Sequence, residues 1–188
     1  MPTFDRSNLH FVNKARKAFT FLSSLGFIEA EALPTLMRYC KEEVEVDVYH
    51  GRQSYEIGAG VSAFGIRYAI SEIIRITDSA VAGQYRNAVA TTPEGVTVTL
   101  EALASLMKHY GSRAFSGDPQ FFAALEQQRK SWSEEYALDI LAKQIRPKAE
   151  EAFRRGDYST AVELYTRIRD RLSPAEIKKL ILAQERQS

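Results

Sequence analysis

Cysteine and long apolar runs are both scarce in this chain of 188 residues. Cys40 is the single cysteine, so an internal disulfide is impossible and the composition favours a reducing compartment. No window approaches the run of about 18 apolar residues that a membrane-spanning helix needs. The N-terminal segment MPTFDRSNLHFVNKARK has neither an apolar core nor a small-residue cleavage site, so we expect no signal peptide and a cytoplasmic location.

A strong net charge of either sign is also missing. The chain carries 25 Lys+Arg and 24 Asp+Glu, and a formal net charge of +1 gives no bulk attraction to nucleic acid or to an anionic membrane. Residues 143–188 are mildly basic, with 11 Lys+Arg against 7 Asp+Glu. These basic residues are interleaved with acids and accompany no recognition-helix or RNA-binding motif, so we do not expect a nucleic acid partner.

Histidine is sparse as well and indicates no metal site. His10, His50 and His109 have no cysteine, histidine or acidic neighbour at the spacing that metal ligands adopt. The lone Cys40 lies at a strand position, where a small buried hydrophobe is a commoner role than a nucleophile. We therefore expect no metal and no cofactor, and a binding protein instead of an enzyme.

Alternating apolar and charged residues mark a sheet between Phe27 and Ile57. The segments FIEAEA, LMRYC, VEVDVYH and SYEI are typical of four strands with one buried face and one polar face. No helix-length segment separates them, which excludes parallel crossovers and predicts an antiparallel meander.

Helical periodicity surrounds this sheet. A helix precedes it and ends at Gly26, and from about Phe64 onward the apolar spacing lengthens to that of helices. We predict an α+β protein with an N-terminal helix, a four-stranded antiparallel β-meander and a mostly helical C-terminal half. Residues 1–78 should hold the first helix, the sheet and a packing helix. Residues 79–188 should hold the helical part, either as a second domain or packed on the sheet.

The helical half carries clear local start and stop signals. Asp118 followed by Pro119 predicts a helix N-terminus, and Gly156 with Asp157 predicts a break between two helices. The segment Ser173-Pro174-Ala175-Glu176 is a capping box with proline in the first turn, so a last helix should begin there.

The acidic side chains of the predicted strands form the candidate binding surface. Side chains alternate between the two faces of a strand, so these acids should project together, opposite Val44, Val46 and Val48. Such a surface can steer a basic partner and reject acidic ones, and a tyrosine can add an aromatic anchor. The predicted partner-binding residues are Glu29, Glu31, Glu43, Glu45, Asp47 and Tyr49.

Other interpretations of the same region compete with docking. Gly58, Gly60 and Ala63 match a G-x-G-x-x-A dinucleotide fingerprint, with Asp78 in the place of its ribose acid. The preceding strand alternates in polarity, however, which favours a glycine-softened bend over a central parallel strand. The paired carboxylates of the third strand have a spacing compatible with glycoside chemistry, but the flanking residues suggest no pocket, and a solvated sheet face is the favoured interpretation. A nucleotide-binding protein or an enzyme that uses Gly58–Gly65 stays as an alternative.

One local resemblance adds a further alternative. The segment GDYSTAVELYTRI, with Gly156, Tyr158, Ala161 and Tyr165 at the characteristic spacing, is similar to the second half of a tetratricopeptide repeat. The resemblance covers about twenty residues and has no neighbouring repeat. It implies a helical hairpin and little more. A scaffold or adaptor that uses this hairpin stays as a further alternative.

A second resemblance covers most of the chain. A helix ending in FLSSLGF, the stretch LMRYCKEEVEVDVYHGRQSYEIGAGV and a helix such as YAISEIIRI together resemble small bacterial proteins of the polymorphic-toxin immunity type. The matching residues are Phe21-Leu22, Gly26-Phe27, Tyr39, Val44–Tyr49, Tyr55-Glu56-Ile57 and Tyr68–Ile76. The resemblance implies a cytoplasmic protein that neutralises a basic toxin domain by tight stoichiometric occlusion, without catalysis.

Overall fold

The computed structural model describes residues 7–187, which divide into two compact units. The first unit extends to Gln127 and contains the whole sheet, and the second begins at Gln128. The boundary expected between residues 78 and 79 falls inside the first unit.

The first unit is built on a six-stranded antiparallel sheet. The first five strands pair in chain order, so the predicted meander is confirmed, and β6 pairs with β4 beside β5. The predicted number of four strands is wrong. The strands are β1 Ile28–Leu33, β2 Leu36–Lys41, β3 Val44–His50, β4 Glu56–Ala63, β5 Ile66–Ala69 and β6 Ala88–Val89.

The two unpredicted strands are short and have weak local signals. β5 follows β4 through a two-residue turn in which Phe64 and Gly65 have φ of 53° and 77°, the left-handed geometry of a tight hairpin. Phenylalanine is unusual at such a position, so the turn was not evident. The strand then runs directly into a helix at Ile70, and the helical spacing of that segment masked it. β6 has only two residues, too few for any periodicity.

Helices cover one face of the sheet and build the core with it. Met37, Val46, Val48 and Val61 point toward these helices and are fully buried. Elements α1, α3 and α5 contact this face. The helices that begin in the first unit are α1 Phe11–Ala18, α2 Phe21–Ser24, α3 Ile70–Thr77, α4 Ser79–Gln84, α5 Pro93–Tyr110, α6 Ser112–Phe115 and α7 Pro119–Arg154.

The helix predicted before the sheet is interrupted. A short 3₁₀ turn at Ser7–Leu9 precedes α1, and α1 and α2 are separate elements. Between them, the Thr20 hydroxyl donates to the Arg16 carbonyl at 2.9 Å, a side-chain bond that competes with continued helical pairing. Gly26 follows with φ of 88°, as expected of a residue that ends a helix.

The second unit contains the C-terminal part of α7 together with α8 Tyr158–Arg167 and α9 Pro174–Gln187, with a 3₁₀ turn at Arg169–Arg171. Its core surrounds Tyr165, which is fully buried. The predicted break is confirmed, because Gly156 has φ of 75° and the Asp157 carboxylate accepts from the Thr160 amide at 3.1 Å.

The capping box at the start of α9 is also confirmed. The Ser173 hydroxyl accepts from the Glu176 amide at 3.3 Å, and the Glu176 carboxylate accepts from the Ser173 amide at 2.6 Å. At the other end of the helical half, Asp118 accepts from the amides of Gln120 and Phe121, so the predicted start of α7 is confirmed as well.

Candidate binding face of the sheet

The strand register separates two chemically different faces of the sheet. In β3 the valines point to the helices, while Glu45, Asp47 and Tyr49 point the other way. Their partners in β2 are Cys40, Arg38 and Leu36. We call this surface the outer face. It consists of Glu31 of β1, Leu36, Arg38 and Cys40 of β2, Glu45, Asp47 and Tyr49 of β3, and Arg67 of β5.

A bulge in β1 divides two acids that the alternating pattern placed together. Glu29 is opposite Tyr39 and Glu31 is opposite Arg38, so Ala30 is an extra residue between them. Tyr39 and Arg38 are neighbours in β2 and point to opposite faces. Glu31 therefore joins the outer face and Glu29 lies on the helix-covered side, which corrects the expectation that both acids project from one surface.

The environment of Glu29 explains its position. Arg16 of α1 holds both carboxylate oxygens, with Nε to Oε2 at 2.8 Å and Nη2 to Oε1 at 2.7 Å. The hydrogen bond from Arg16 lowers the pKa of Glu29, because it favours the charged form. Glu43 lies on neither face of the sheet, because it is exposed in the turn between β2 and β3. Neither residue belongs to the outer face.

The most buried charge of the outer face is Asp47. Both of its carboxylate oxygens accept from Arg67, with Nε to Oδ1 at 2.7 Å and Nη2 to Oδ2 at 2.6 Å. The Asp47 side chain is 8% exposed and that of Arg67 is 43% exposed. The hydrogen bond with Asp47 raises the pKa of Arg67, which keeps the guanidinium charged. Sequence reasoning missed Arg67 because its segment was expected to be helical.

Two glycines of β4 make room for this arrangement. A Cβ at Gly60 would lie 2.6 Å from Arg67 Cζ, and a Cβ at Gly58 would lie 2.5 Å from Tyr49 Oη. The long side chains of Tyr49 and Arg67 thus lie directly over a glycine strip. The glycines that matched a dinucleotide fingerprint are interior residues of an antiparallel strand, which lacks the strand-to-helix turn that cradles a pyrophosphate.

A second ionic group occupies the part of the outer face near β1. Arg38 lies between two carboxylates, 3.1 Å from Glu31 and 3.6 Å from Glu45. All three side chains are more than a third exposed, so the group is screened by water and adds little stability. The two carboxylates instead fix the orientation of Arg38, whose side chain is 44% exposed.

The charge of the outer face differs from the acidic surface that the strand pattern indicated. Three carboxylates, Glu31, Glu45 and Asp47, are matched by two guanidinium groups, Arg38 and Arg67. A shallow groove of about 320 Å³ runs between these groups and is also lined by Leu36 and Tyr49. The outer face therefore carries both positive and negative side chains, with Leu36 and Tyr49 between them.

The segment before β6 forms a polar rim beside Tyr49. Asn87 donates from Nδ2 to Tyr49 Oη at 3.2 Å, and Tyr85 donates its hydroxyl to Asn87 Oδ1 at 2.9 Å. Burial raises the pKa of Tyr85 to about 12, so its proton stays in place across the physiological range. The chain of hydrogen bonds holds the Tyr49 ring, which also lies 5.7 Å from the Arg67 guanidinium carbon.

Cys40 belongs to the outer face, and His50 does not. Burial and the neighbouring Glu45 carboxylate raise the pKa of the Cys40 thiol, which keeps it protonated and weakly nucleophilic. His50 lies on the opposite face of the sheet, where its Nε2 is 2.9 Å from the Ala90 carbonyl oxygen. Within residues 7–187, no group of three histidine, cysteine or acidic side chains could hold a metal ion.

Two further findings concern membrane-spanning helices and similarity to known proteins. In the described part of the chain, no helix combines the length and the apolar character that crossing a bilayer requires. Comparison with protein-family models, curated protein sequences and solved structures gives no match to this chain. The function proposed below is therefore argued from the geometry of the residues.

Proposed function

We propose that the protein is a non-catalytic binding protein whose outer face holds a protein partner. The observation that carries the proposal is the pair of reachable arginines, Arg38 and Arg67, fixed by carboxylates around Tyr49 and Leu36. Arginine and tyrosine are the residues that most often dominate binding energy at interfaces, and preorganised side chains lose little entropy when a partner docks.

In its specific form, the proposal is that the partner is a toxin domain and that binding occludes its active site. This form rests on the resemblance of the helix, strand and helix pattern to immunity-type proteins. A face with both signs of charge supports a selective complex, because a mismatched partner leaves charges unpaired. A basic toxin would pair with Glu31 and Glu45, and its acidic rim residues would meet Arg38 and Arg67.

The test begins with capture of partners from the native host by the tagged full-length chain, at low and moderate salt, followed by mass spectrometry. We expect one stoichiometric protein partner whose activity is inhibited at an equimolar ratio. Charge reversal at Glu45 should weaken the complex, whereas Glu101→Lys, at an exposed position of α5, should leave it intact. Asp47 is unsuitable for reversal, because its buried position would confound binding with folding.

Two results would contradict the proposal. Recovery of the chain alone at both salt concentrations would exclude a stable complex under those conditions. A complex that is insensitive to Glu45→Lys and to Arg38→Ala would place the interface elsewhere. Melting temperatures of both variants should stay close to that of the unchanged protein, since both positions are on the surface.

A scaffold role for the second unit is the other candidate, and one observation favours it. Ile177 and Ile181 are 44% and 50% exposed, and their spacing places them on one face of α9. Exposed apolar pairs of this kind serve helix-to-helix recognition. A partner captured by the unchanged chain but lost with Ile177→Ser and Ile181→Ser, while Arg38→Ala retains it, would support this role.

A further inference from the structure

A cavity in the first unit, lined by residues that do not belong to the outer face, combines an apolar floor with two lysines. Its volume is about 340 Å³, at the lower end of the range of small-molecule sites. It is lined chiefly by Phe21, Leu25, Phe115, Lys41, Lys108 and Ser112. None of these residues belongs to the outer face, so a ligand here would be independent of the proposed partner.

The floor of the cavity is aromatic and aliphatic. The rings of Phe21 and Phe115 lie 6.0 Å apart at an interplanar angle of 54°. Leu25, which also lines the cavity, is 42% exposed. A ligand with an apolar body would remove this surface from water, which stabilises the complex in proportion to the area buried.

The two lysines reach the cavity from different elements. Lys41 ends β2 and Lys108 lies near the end of α5. Lys108 Nζ lies 4.9 Å above the Phe21 ring centroid, and Lys41 Nζ lies 5.8 Å from that of Phe27. Within residues 7–187, neither ammonium group has a carboxylate within the 4 Å of an ion pair, in contrast to the arginines of the outer face.

These features select the chemical class of the ligand. Two lysines among the lining residues, neither of them in an ion pair within residues 7–187, favour an anion, and an apolar floor favours an organic body attached to it. Lysine ammonium groups bind phosphates as well as carboxylates, so the apolar floor, and not the lysines, favours an organic acid over free phosphate. We propose that the cavity binds a small monocarboxylic acid with an aromatic or branched apolar body.

Phenylacetate is the probe that tests the assignment, by isothermal titration calorimetry and by chemical-shift changes in the full-length protein. We expect saturable binding with a Kd below about 1 mM. Lys41→Gln and Lys108→Gln should each weaken binding by about three- to tenfold, since each removes one partly screened charge. Lys17→Gln, at an exposed position of α1, is the matched control and should bind as the unchanged protein does.

Two other probes separate the body of the ligand from its charge. Phenylacetamide has the same ring without the charge, and inorganic phosphate has charge without a ring. Both should bind at least about tenfold more weakly than phenylacetate. Equal binding of either, absence of saturable phenylacetate binding, or equal loss with Lys17→Gln would overturn the proposal. All four substituted or unchanged chains are first compared by thermal melting, so that a folding defect is not mistaken for lost binding.

Discussion

Two buried carboxylates, one in each unit, occupy closely similar environments and have different tasks. Asp47 of the sheet is 8% exposed and pairs with Arg67, which is 43% exposed. Glu176 of α9 is 9% exposed and pairs with Arg146, which is 40% exposed. Burial and partner type do not distinguish them.

The other hydrogen bonds of Asp47 and Glu176 distinguish the two carboxylates. Glu176 also accepts from the Ser173 amide at 2.6 Å and so completes the first turn of α9, while Arg146 additionally donates to the Arg171 carbonyl. Both oxygens of Asp47 are bonded to Arg67. A carboxylate that satisfies backbone groups holds the fold together. Asp47, whose two oxygens both bond Arg67, mainly fixes the orientation of that arginine, which is 43% exposed.

The largest expected effect on stability comes from replacing Glu176, the carboxylate that bonds to the backbone of α9. Glu176→Ala should lower the free energy of unfolding by about 2–3 kcal/mol, because it removes a helix cap and a charged hydrogen bond together. Urea unfolding followed by far-ultraviolet circular dichroism measures the change. Glu163→Ala, at an exposed position of α8, is the control and should stay within about 0.5 kcal/mol of the unchanged protein.

Replacing Asp47 of the sheet by alanine should reduce the stability less than Glu176→Ala does. Asp47→Ala should lower the free energy of unfolding by about 1 kcal/mol, since the released Arg67 can turn into water. Glu45→Ala, two residues away and already screened, should change it by less than about 0.5 kcal/mol. A loss at Asp47 equal to that at Glu176 would remove the distinction between the two carboxylates.

A smaller effect on stability tests whether Gly60 makes room for the Arg67 side chain that bonds to Asp47. Gly60→Ala should lower the free energy of unfolding by about 0.5–1 kcal/mol, because the new methyl group displaces the arginine side chain without moving the backbone. In the Asp47→Ala background the same change should cost almost nothing, which a double-mutant cycle measures. Gly83→Ala is the control, since a Cβ there has open space. Full additivity of the two substitutions would contradict this mechanism.

The smallest effect is the contribution of Glu176 to the pH dependence of stability. Burial raises the pKa of Glu176, but the Ser173 bonds and Arg146 outweigh it, so the folded pKa lies below the ordinary value. A depressed folded pKa contributes stability that is fully present above about pH 4.5 and is lost as the pH falls through the folded pKa. Nuclear magnetic resonance titration of the Glu176 carboxyl group should show this, and Glu176→Gln should flatten the corresponding part of the unfolding profile.

Much of the local structure could be predicted from short-range patterns. The valine and acid alternation of VEVDVYH identified β3 and its two faces, and Asp118-Pro119 and Ser173–Glu176 identified two helix starts. Each of these depends on residues within a few positions of one another. The candidate site was predicted only in part: Glu45, Asp47 and Tyr49 share a face as expected, whereas the bulge at Ala30 moved Glu29 away.

The composition and periodicity of the chain were sufficient to establish an α+β protein with an antiparallel sheet and capped helices, because backbone hydrogen bonding and apolar spacing are local properties. The charge balance of the outer face was decided by pairs far apart in sequence. Asp47 meets Arg67 across the glycine strip of β4, and on the helix-covered side Glu29 meets Arg16 of α1. Only the folded chain brings such charges within hydrogen-bond distance, and it thereby turned an acidic strand pattern into a surface of paired charges.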